Sequence, residues 1–414
     1  MRTAGIIAEY NPFHAGHQKQ LDYVRHTCGA DYIVIVMSGD FVQRGGPALY
    51  SKHQRTEAAL RCGADLVLEL PVSASSASAE FFARCGVEIL DRIGVTDILC
   101  FGSEEGSLPL FQASAEVLLK EPDEYRNALK NGLKSGMSFP LARAYALEAY
   151  LLQTNSQISS ADYHRFLSEP NNILGIEYCR SILALKSRIQ PVTLKREGSG
   201  YHQQHLPEDA APSASAVRKW LKEHPLSEAE QALKNHLPKP SLDLLLEAAR
   251  NDRLVFEEDL DTLLACSLFT ETRDSLCQYP DVSRELAARI IRFRSQYAGF
   301  APFTDLLKTK ELTRTRIQRA LLHILLRIRS IPSSPEYARV LGFRKDAAPL
   351  LSAIKKEGTI PLLTKAADAP RILSGSALQS FEETVSASNI YESILACRQH
   401  TPLLHEYQKP VRII

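Results

Sequence analysis

Short apolar runs alternate with mixed stretches through the first hundred residues of the chain. Residues 3–8, 32–37, 66–70 and 97–101 are nearly continuous in apolar side chains. Such runs suit strands of a parallel sheet covered on both faces, where no alternate position meets water. Between them, residues 17–28, 51–62 and 77–93 read as helices. Strand and helix in strict alternation predict a doubly wound α/β sheet. Ligands in such sheets bind beyond the carboxyl ends of the strands. Here those ends carry Tyr10-Asn11, Met37-Ser38-Gly39-Asp40, Leu70-Pro71 and Phe101-Gly102-Ser103.

Farther along, residues 106–160 read as helices with charged faces. Residues 161–202 hold a second group of polar motifs and one more strand, 191–194. Helices dominate from Ser213, broken near Pro225, Pro238-Lys239-Pro240 and Pro280. Ile331-Pro332-Ser333-Ser334-Pro335 reads as a linker. It is followed by a small α/β unit with a strand at 336–341, a helix around 347–356 and a strand at 359–363. The expected organisation is an α/β unit at 1–212, a helical region at 213–330 and a small α/β unit at 336–414.

Apolar residues make up 44% and charged residues 23% of 414, the balance of an ordinary globular protein. A net charge of +1 gives no global pull toward nucleic acid, so an RNA surface must be a local patch. No apolar run approaches the ~20 residues needed to span a bilayer. The chain opens on strand-like sequence without a signal-peptide core. Its eight cysteines include no C-x-x-C pair, which argues against a zinc site and for reduced thiols. The expected compartment is the cytoplasm.

The densest chemistry is Asn11-Pro12-Phe13-His14-Ala15-Gly16-His17, where the first strand turns into the first helix. A helix start presents unpaired N–H groups and a positive dipole end, so it accepts phosphate. Two imidazoles there can donate to phosphoryl oxygens as charge builds in a transition state. After the second strand, Ser38 to Pro47 holds three glycines, followed by Ser51-Lys52-His53-Gln54-Arg55. Ser51 is a plausible N-cap; Lys52 and Arg55 share a helix face and could reach one anion together. Gly102 could let a nucleoside lie against the backbone. Asn171 or Asn172 could cap a helix or bond a base or ribose. Arg196, beside a glycine-rich turn, is a possible phosphate ligand. Ser213 and Ser215 open another helix and offer hydroxyls to phosphate. Lys308, Lys310, Arg314, Arg316 and Arg319 form the densest positive run, with Arg289, Arg292 and Arg294 upstream.

The His-x-Gly-His pattern resembles the signature of HIGH-type nucleotidyltransferases. The whole series resembles the tRNA(Met) cytidine acetate ligase family: GIIAEYNPFHAGH, VMSGDFVQRGGPALYSKHQRTEAALRCGADLVLELP, FGSE, PNNILGIEYCRSI, KREGSGYH, SASAVRKWL and LTRTRIQRALLHIL, in order from residue 5 to about 330. The resemblance implies a Rossmann-like catalytic domain at 1–212 and a tRNA-binding helical region at 213–330. It implies that ATP and acetate form acetyl adenylate, which acetylates N4 of the wobble cytidine of elongator tRNA(Met). Carried over, the ATP site falls on Ile7, Ala8, Glu9, Tyr10, Asn11, Pro12, Phe13, His14, Ala15, Gly16, His17, Gln18, Lys19 and Gln20, and on Gly102, Asn171 and Arg196. His14 and His17 take the catalytic role. Lys52, Arg55, Ser213 and Ser215 stay candidates for further phosphate contacts from their own positions, and Mg2+ is expected with the nucleotide. Two positions depart from the family pattern. Asp40 stands where relatives have Asn, making it a candidate magnesium ligand, and Gly46 stands where they have Glu. Two other readings remain open at this point: an adenylyltransferase of cofactor biosynthesis, and a non-catalytic RNA-binding protein of the same fold.

Overall fold

The computed structural model describes residues 1–154, 159–196 and 213–414. Five parallel strands form its centre: β1 (Thr3–Ala8), β2 (Tyr32–Ser38), β3 (Leu66–Leu70), β4 (Ile98–Ser103) and β5 (Gln190–Lys195). Three more come from the C-terminal segment: β6 (Ala338–Phe343), β7 (Leu362–Leu363) and β8 (Arg412–Ile413). The order is β8-β6-β3-β2-β1-β4-β5, with β7 against β6. The chain therefore moves outward from β1 through β2 to β3, then returns to place β4 on the other side of β1. That reversal opens a crevice at the carboxyl ends of β1 and β4.

The apolar runs match these strands closely, because their residues are covered on both faces: Val34, Val36, Leu66, Leu68 and Leu99 face one core, Ile33, Ile35, Val67 and Ile98 the other. Three helices follow the first three strands: α1 (Ala15–Asp22), α2 (Lys52–Arg61) and α3 (Ala79–Arg92). Ser51 caps α2 as expected, its hydroxyl accepting the Gln54 N–H at 3.4 Å. The first helix differs from expectation. It begins two residues early, at Ala15, and passes at Tyr23–Thr27 into a π-helical turn.

The boundary expected at residue 336 divides the chain but not the sheet. β6 pairs antiparallel with β3, so the C-terminal segment continues the same sheet. A buried ion cluster fastens it there. Arg339 on β6 bonds Glu69 on β3 and Glu406, each at 2.7 Å.

The helical region likewise shares its core with the first half. Phe41 and Val72 pack with Leu264, Leu286, Ile290, Phe303 and Leu321, and with Tyr391 from the C-terminal segment. Its helix Arg314–Leu326 sits directly on a small hairpin, Phe41–Val42 with Gly46–Pro47. At the hairpin tip Gly45 has φ +82, and a Cβ there would stand 2.4 Å from the Arg319 backbone nitrogen. Gly45→Ala combines left-handed strain with a backbone collision. It is expected to cost about 1–3 kcal/mol in urea unfolding. Unchanged unfolding would show that the helix does not rest on the hairpin.

Candidate active site

The loop after β1 places both histidines. Tyr10 turns the chain at φ +48, with its ring buried against Phe13 at 4.8 Å between centroids. His14 then adopts extended backbone and becomes the N-cap of α1. Its Nδ1 accepts the Gly16 N–H at 3.1 Å, and its own N–H donates to His17 Nδ1 at 3.2 Å. This is a reciprocal capping box built from two imidazoles. A backbone N–H can only donate, so each Nδ1 presents a lone pair and each neutral ring carries its proton on Nε2. The rings stack at 3.7 Å and 24°. Tyr10 holds the His17 ring edge-on at 4.8 Å.

Burial, and then the charge of Arg196, pushes His14 down to about 3. Burial, His14 and Arg196 hold His17 well below its ordinary value of 6.5. Both rings are therefore neutral donors at neutral pH, and catalysis should show no break near pH 6.5 from either. Because the folded values are depressed, the unfolded chain binds more protons below 6.5. The stability these rings contribute is complete above pH 6.5 and is lost as pH falls toward 3. Urea unfolding across that window checks the sign.

Arg196 reaches the histidines through strand register. Gly102 pairs with Leu194 and Ser103 with Lys195, and the Arg196 N–H donates to Ser103 O at 2.8 Å. The arginine stem then crosses Gly102, where a Cβ would lie 3.4 Å from its Cγ. Helix α4 (Pro170–Leu185) brings the asparagines to the same end of the sheet. Asn171 Nδ2 donates to Glu104 Oε1 at 2.6 Å. Asn172 is buried, and its Oδ1 accepts the N–H groups of Glu104 and Glu105 at 3.1 and 3.3 Å. The sequence suggested that one of them caps the helix; neither does, because the cap position falls on Glu169. His14, His17, Gly102, Asn171 and Arg196 thus gather at the carboxyl ends of β1, β4 and β5.

A family model described as HIGH Nucleotidyl Transferase matches residues 1–403. The chain belongs to the HIGH nucleotidyl transferase family. It is 37% identical over 399 residues to a tRNA(Met) cytidine acetate ligase of Acetivibrio thermocellus, covering 94% of each chain. It is 40% identical over 375 residues to the tRNA(Met) cytidine acetate ligase of Clostridium acetobutylicum, covering 88% of this chain and 90% of that one. The fold superposes on Thermotoga maritima TmcAL in its apo form with a TM-score of 0.92 at 30% identity, covering all of both chains. It superposes on the same protein bound with alpha-thio ATP with a TM-score of 0.90 at 31% identity, covering 100% of this chain and 99% of that one.

Several residues expected at the phosphates of this HIGH nucleotidyl transferase are engaged elsewhere. Lys52 is wholly buried, its Nζ 2.5 Å from Glu69, 2.7 Å from Ser388 and 2.9 Å from Glu406. It closes the ion cluster under the sheet and faces no open anion site. Burial alone would raise Glu406, but Lys52, His53 and Arg339 outweigh it and hold that carboxyl well below the usual range. Arg55 is also fully buried. Its guanidinium donates to the carbonyls of Tyr50 at 3.1 Å, Glu9 at 2.7 Å and Ser38 at 3.1 Å, and to that of Gly39. It ties the loops after β1 and β2 together. Asp40 accepts the Lys52 N–H at 2.8 Å, and its other oxygen lies 3.9 Å from Lys52 Nζ. Its carboxylate is directed at α2. Among the described residues no group of three or more His, Cys, Asp or Glu side chains is arranged for a metal. Magnesium commonly enters such sites on substrate phosphates with most of its waters.

Within the loop, Gln18 and Gln20 turn away from the crevice. Gln18 bonds Asp22 and Cys62 O, and Gln20 bonds Cys100 O at 3.1 Å. Ser213 caps helix α5 (Ala214–Glu223), accepting the Ala216 N–H at 3.1 Å, and its hydroxyl lies 3.0 Å from that of Ser215. The glycine-rich turn after Arg196 lies outside the described residues.

Sequence reading missed Arg218. From α5 its Nη1 donates to Asn11 O at 2.6 Å, joining the helical region to the histidine loop 207 residues away. Only the fold reveals it; one arginine in a helix carries no local signal. The basic run is also less open than its composition suggests. Arg314 pairs with Asp305 at 2.5 Å and Arg319 with Asp281 at 2.9 Å, while Arg316 donates to Asp281 O at 3.4 Å. Arg289 and Arg294 bond carbonyls of neighbouring helices. Lys308 and Lys310 are exposed. All eight cysteines are free thiols, and among the described residues no helix is long and apolar enough to cross a membrane.

Proposed function

We propose that this chain joins acetate to N4 of the wobble cytidine of elongator tRNA(Met), using ATP and passing through acetyl adenylate. The observation that carries this reading is the pair of neutral imidazoles at the α1 start, facing the Arg196 charge in the crevice. The relatives' names supply the acetate and the tRNA, and the alpha-thio ATP of the Thermotoga maritima structure supplies the nucleotide.

In the first step a carboxylate oxygen of acetate attacks the alpha phosphorus and pyrophosphate leaves. Charge grows on the phosphoryl oxygens, and the Nε2–H groups of His14 and His17 donate to them. Neutral donors suit this task, because a second proton at Nδ1 would break the cap. Arg196 adds a fixed positive charge at the same end of the sheet. Gly102 leaves room beside that arginine, and Asn171 holds an amide for the nucleoside. In the second step the cytidine amine attacks the acetyl carbonyl, AMP leaves, and the amine proton passes to solvent. Magnesium, if it accompanies ATP, neutralises phosphate charge. Acetate-dependent pyrophosphate release, measured with and without tRNA(Met), tests the reading; release that ignores acetate would refute it.

Lys308 and Lys310 remain the cleanest candidates for tRNA phosphates, since changing them strands no aspartate. Lys308→Gln with Lys310→Gln should weaken tRNA binding and make the salt slope of log affinity shallower by up to ~0.9 for each duplex phosphate no longer neutralised. Pyrophosphate release without tRNA should stay intact. An unchanged slope would return these lysines to the role of solvated surface.

A further inference from the structure

The carboxyl end of β1 also faces away from Arg196, toward the hairpin that follows β2. Glu9 stands there, directly after β1, and is half-buried. Its carbonyl accepts from Arg55 at 2.7 Å, and its Oε1 accepts the Gln43 N–H of the hairpin at 2.9 Å. Backbone and carboxylate are both held. The second carboxylate oxygen is not enclosed, and it has no hydrogen-bond partner among the described residues.

Arg218 reaches the same place from the helical region. It is half-buried too, and its Nη1 is committed to Asn11 O at 2.6 Å. The rest of its fork is not enclosed and has no partner among the described residues. Burial lowers Arg218 from its ordinary value, and the charges of Glu9 and then Glu257 oppose that. Glu9 and Arg218 thus share one field, yet no ion pair closes between them. Their backbone bonds hold an open acceptor beside an open donor. The edge that matches is an amine next to a bare ring nitrogen, as on cytosine and adenine. Uracil and guanine carry the reverse pattern, a carbonyl next to a ring N–H. Position favours cytosine. Gly102 and Asn171, the candidates for the ATP nucleoside, lie across β1 at β4 and β5, whereas Arg218 comes from the helical region.

We propose that Glu9 and Arg218 read the target cytosine, with Glu9 accepting from the N4 amine and Arg218 donating to N3. The proposal rests on the acetate-ligase reading for its chemistry. The N4 lone pair is delocalised into the ring, so the amine is a weak nucleophile until a base draws on its proton. As the bond from N4 to the acetyl carbon forms, the bond from that carbon to the AMP oxygen breaks. AMP leaves with the electron pair, and the N4 proton passes to the free oxygen of Glu9 and then to solvent.

The first test measures filter binding of the full chain to anticodon stem-loops of tRNA(Met) with C or U at the wobble position. Wild type should prefer C by about 10-fold, the scale of one well-read base edge. In Glu9→Gln the Gln43 N–H still takes the amide oxygen, so the free position becomes a donor. The preference should vanish or pass to U. Arg218→Lys should reduce it as well. The second test compares acetyl transfer to tRNA(Met) with acetohydroxamate formed from ATP, acetate and hydroxylamine, whose nitrogen is nucleophilic without a base. Glu9→Gln should lower the ratio of transfer to hydroxamate by ~10²-fold or more. Transfer and hydroxamate falling together in Glu9→Gln would assign the carboxylate to the nucleotide and overturn the proposal. An equal preference for C in wild type, Glu9→Gln and Arg218→Lys overturns it too. A preference for C that depends on Glu9, in a chain that makes no hydroxamate from acetate, would support the pair and count against the ligase reading.

Discussion

Replacing His14 or His17 by alanine is expected to lower acetate-dependent pyrophosphate release by ~10²-fold or more, the scale of one lost transition-state donor. ATP affinity should fall less than turnover, because the donors matter most as charge develops. The capping geometry complicates a simple alanine variant. Each Nδ1 also satisfies a backbone N–H of α1, and loss of a cap costs about 1 kcal/mol. His14→Asn separates the two roles. Asparagine is a good N-cap, so α1 should keep its start while the Nε2 donor is lost. Turnover in His14→Asn should therefore stay near that of His14→Ala, with unfolding close to wild type. Recovery of turnover in His14→Asn would reduce the histidine to a cap.

The second large effect is on stability. Lys52→Met removes one charge from a cluster that also holds Glu69, Glu406, Arg339 and Asp40. Breaking a buried ion group by deleting one partner leaves uncompensated charge and costs about 3–5 kcal/mol. Urea unfolding should register that loss, while turnover per folded molecule stays near wild type. A phosphate ligand would give the reverse: full stability and failing turnover. The same measurement thus separates the two roles that sequence alone leaves open for this lysine.

Much of the fold is legible in the sequence because burial on both faces writes itself as uninterrupted apolar runs. β1 and β3 fall on their expected residues for that reason. Less legible are features that depend on distant partners. The start of α1 is missed by two residues because histidine is not among the usual capping side chains. Lys52 and Arg55 read as a basic helix start, since nothing local says that they point inward. Their partners lie on β3, at Glu406 and on the carbonyls that close β1 and β2. Asn171 and Asn172 are neighbours in sequence with different duties, one on a side chain and the other on two backbone N–H groups. The histidine motif itself is legible because strand, turn and helix follow within twenty residues, so its geometry is local.

The antiparallel seat of β6 on β3 has a practical consequence for dissecting this protein. A chain cut after residue 330 would keep every crevice residue, yet Leu66-Val67-Leu68-Glu69-Leu70 would become an open edge. An apolar edge with unpaired N–H and C=O groups recruits strands from other molecules. Glu69 would retain Lys52 but lose Arg339. Aggregation of such a fragment would therefore report a missing edge guard rather than a missing catalytic group, and adding back residues 336–414 as a separate chain should restore its solubility.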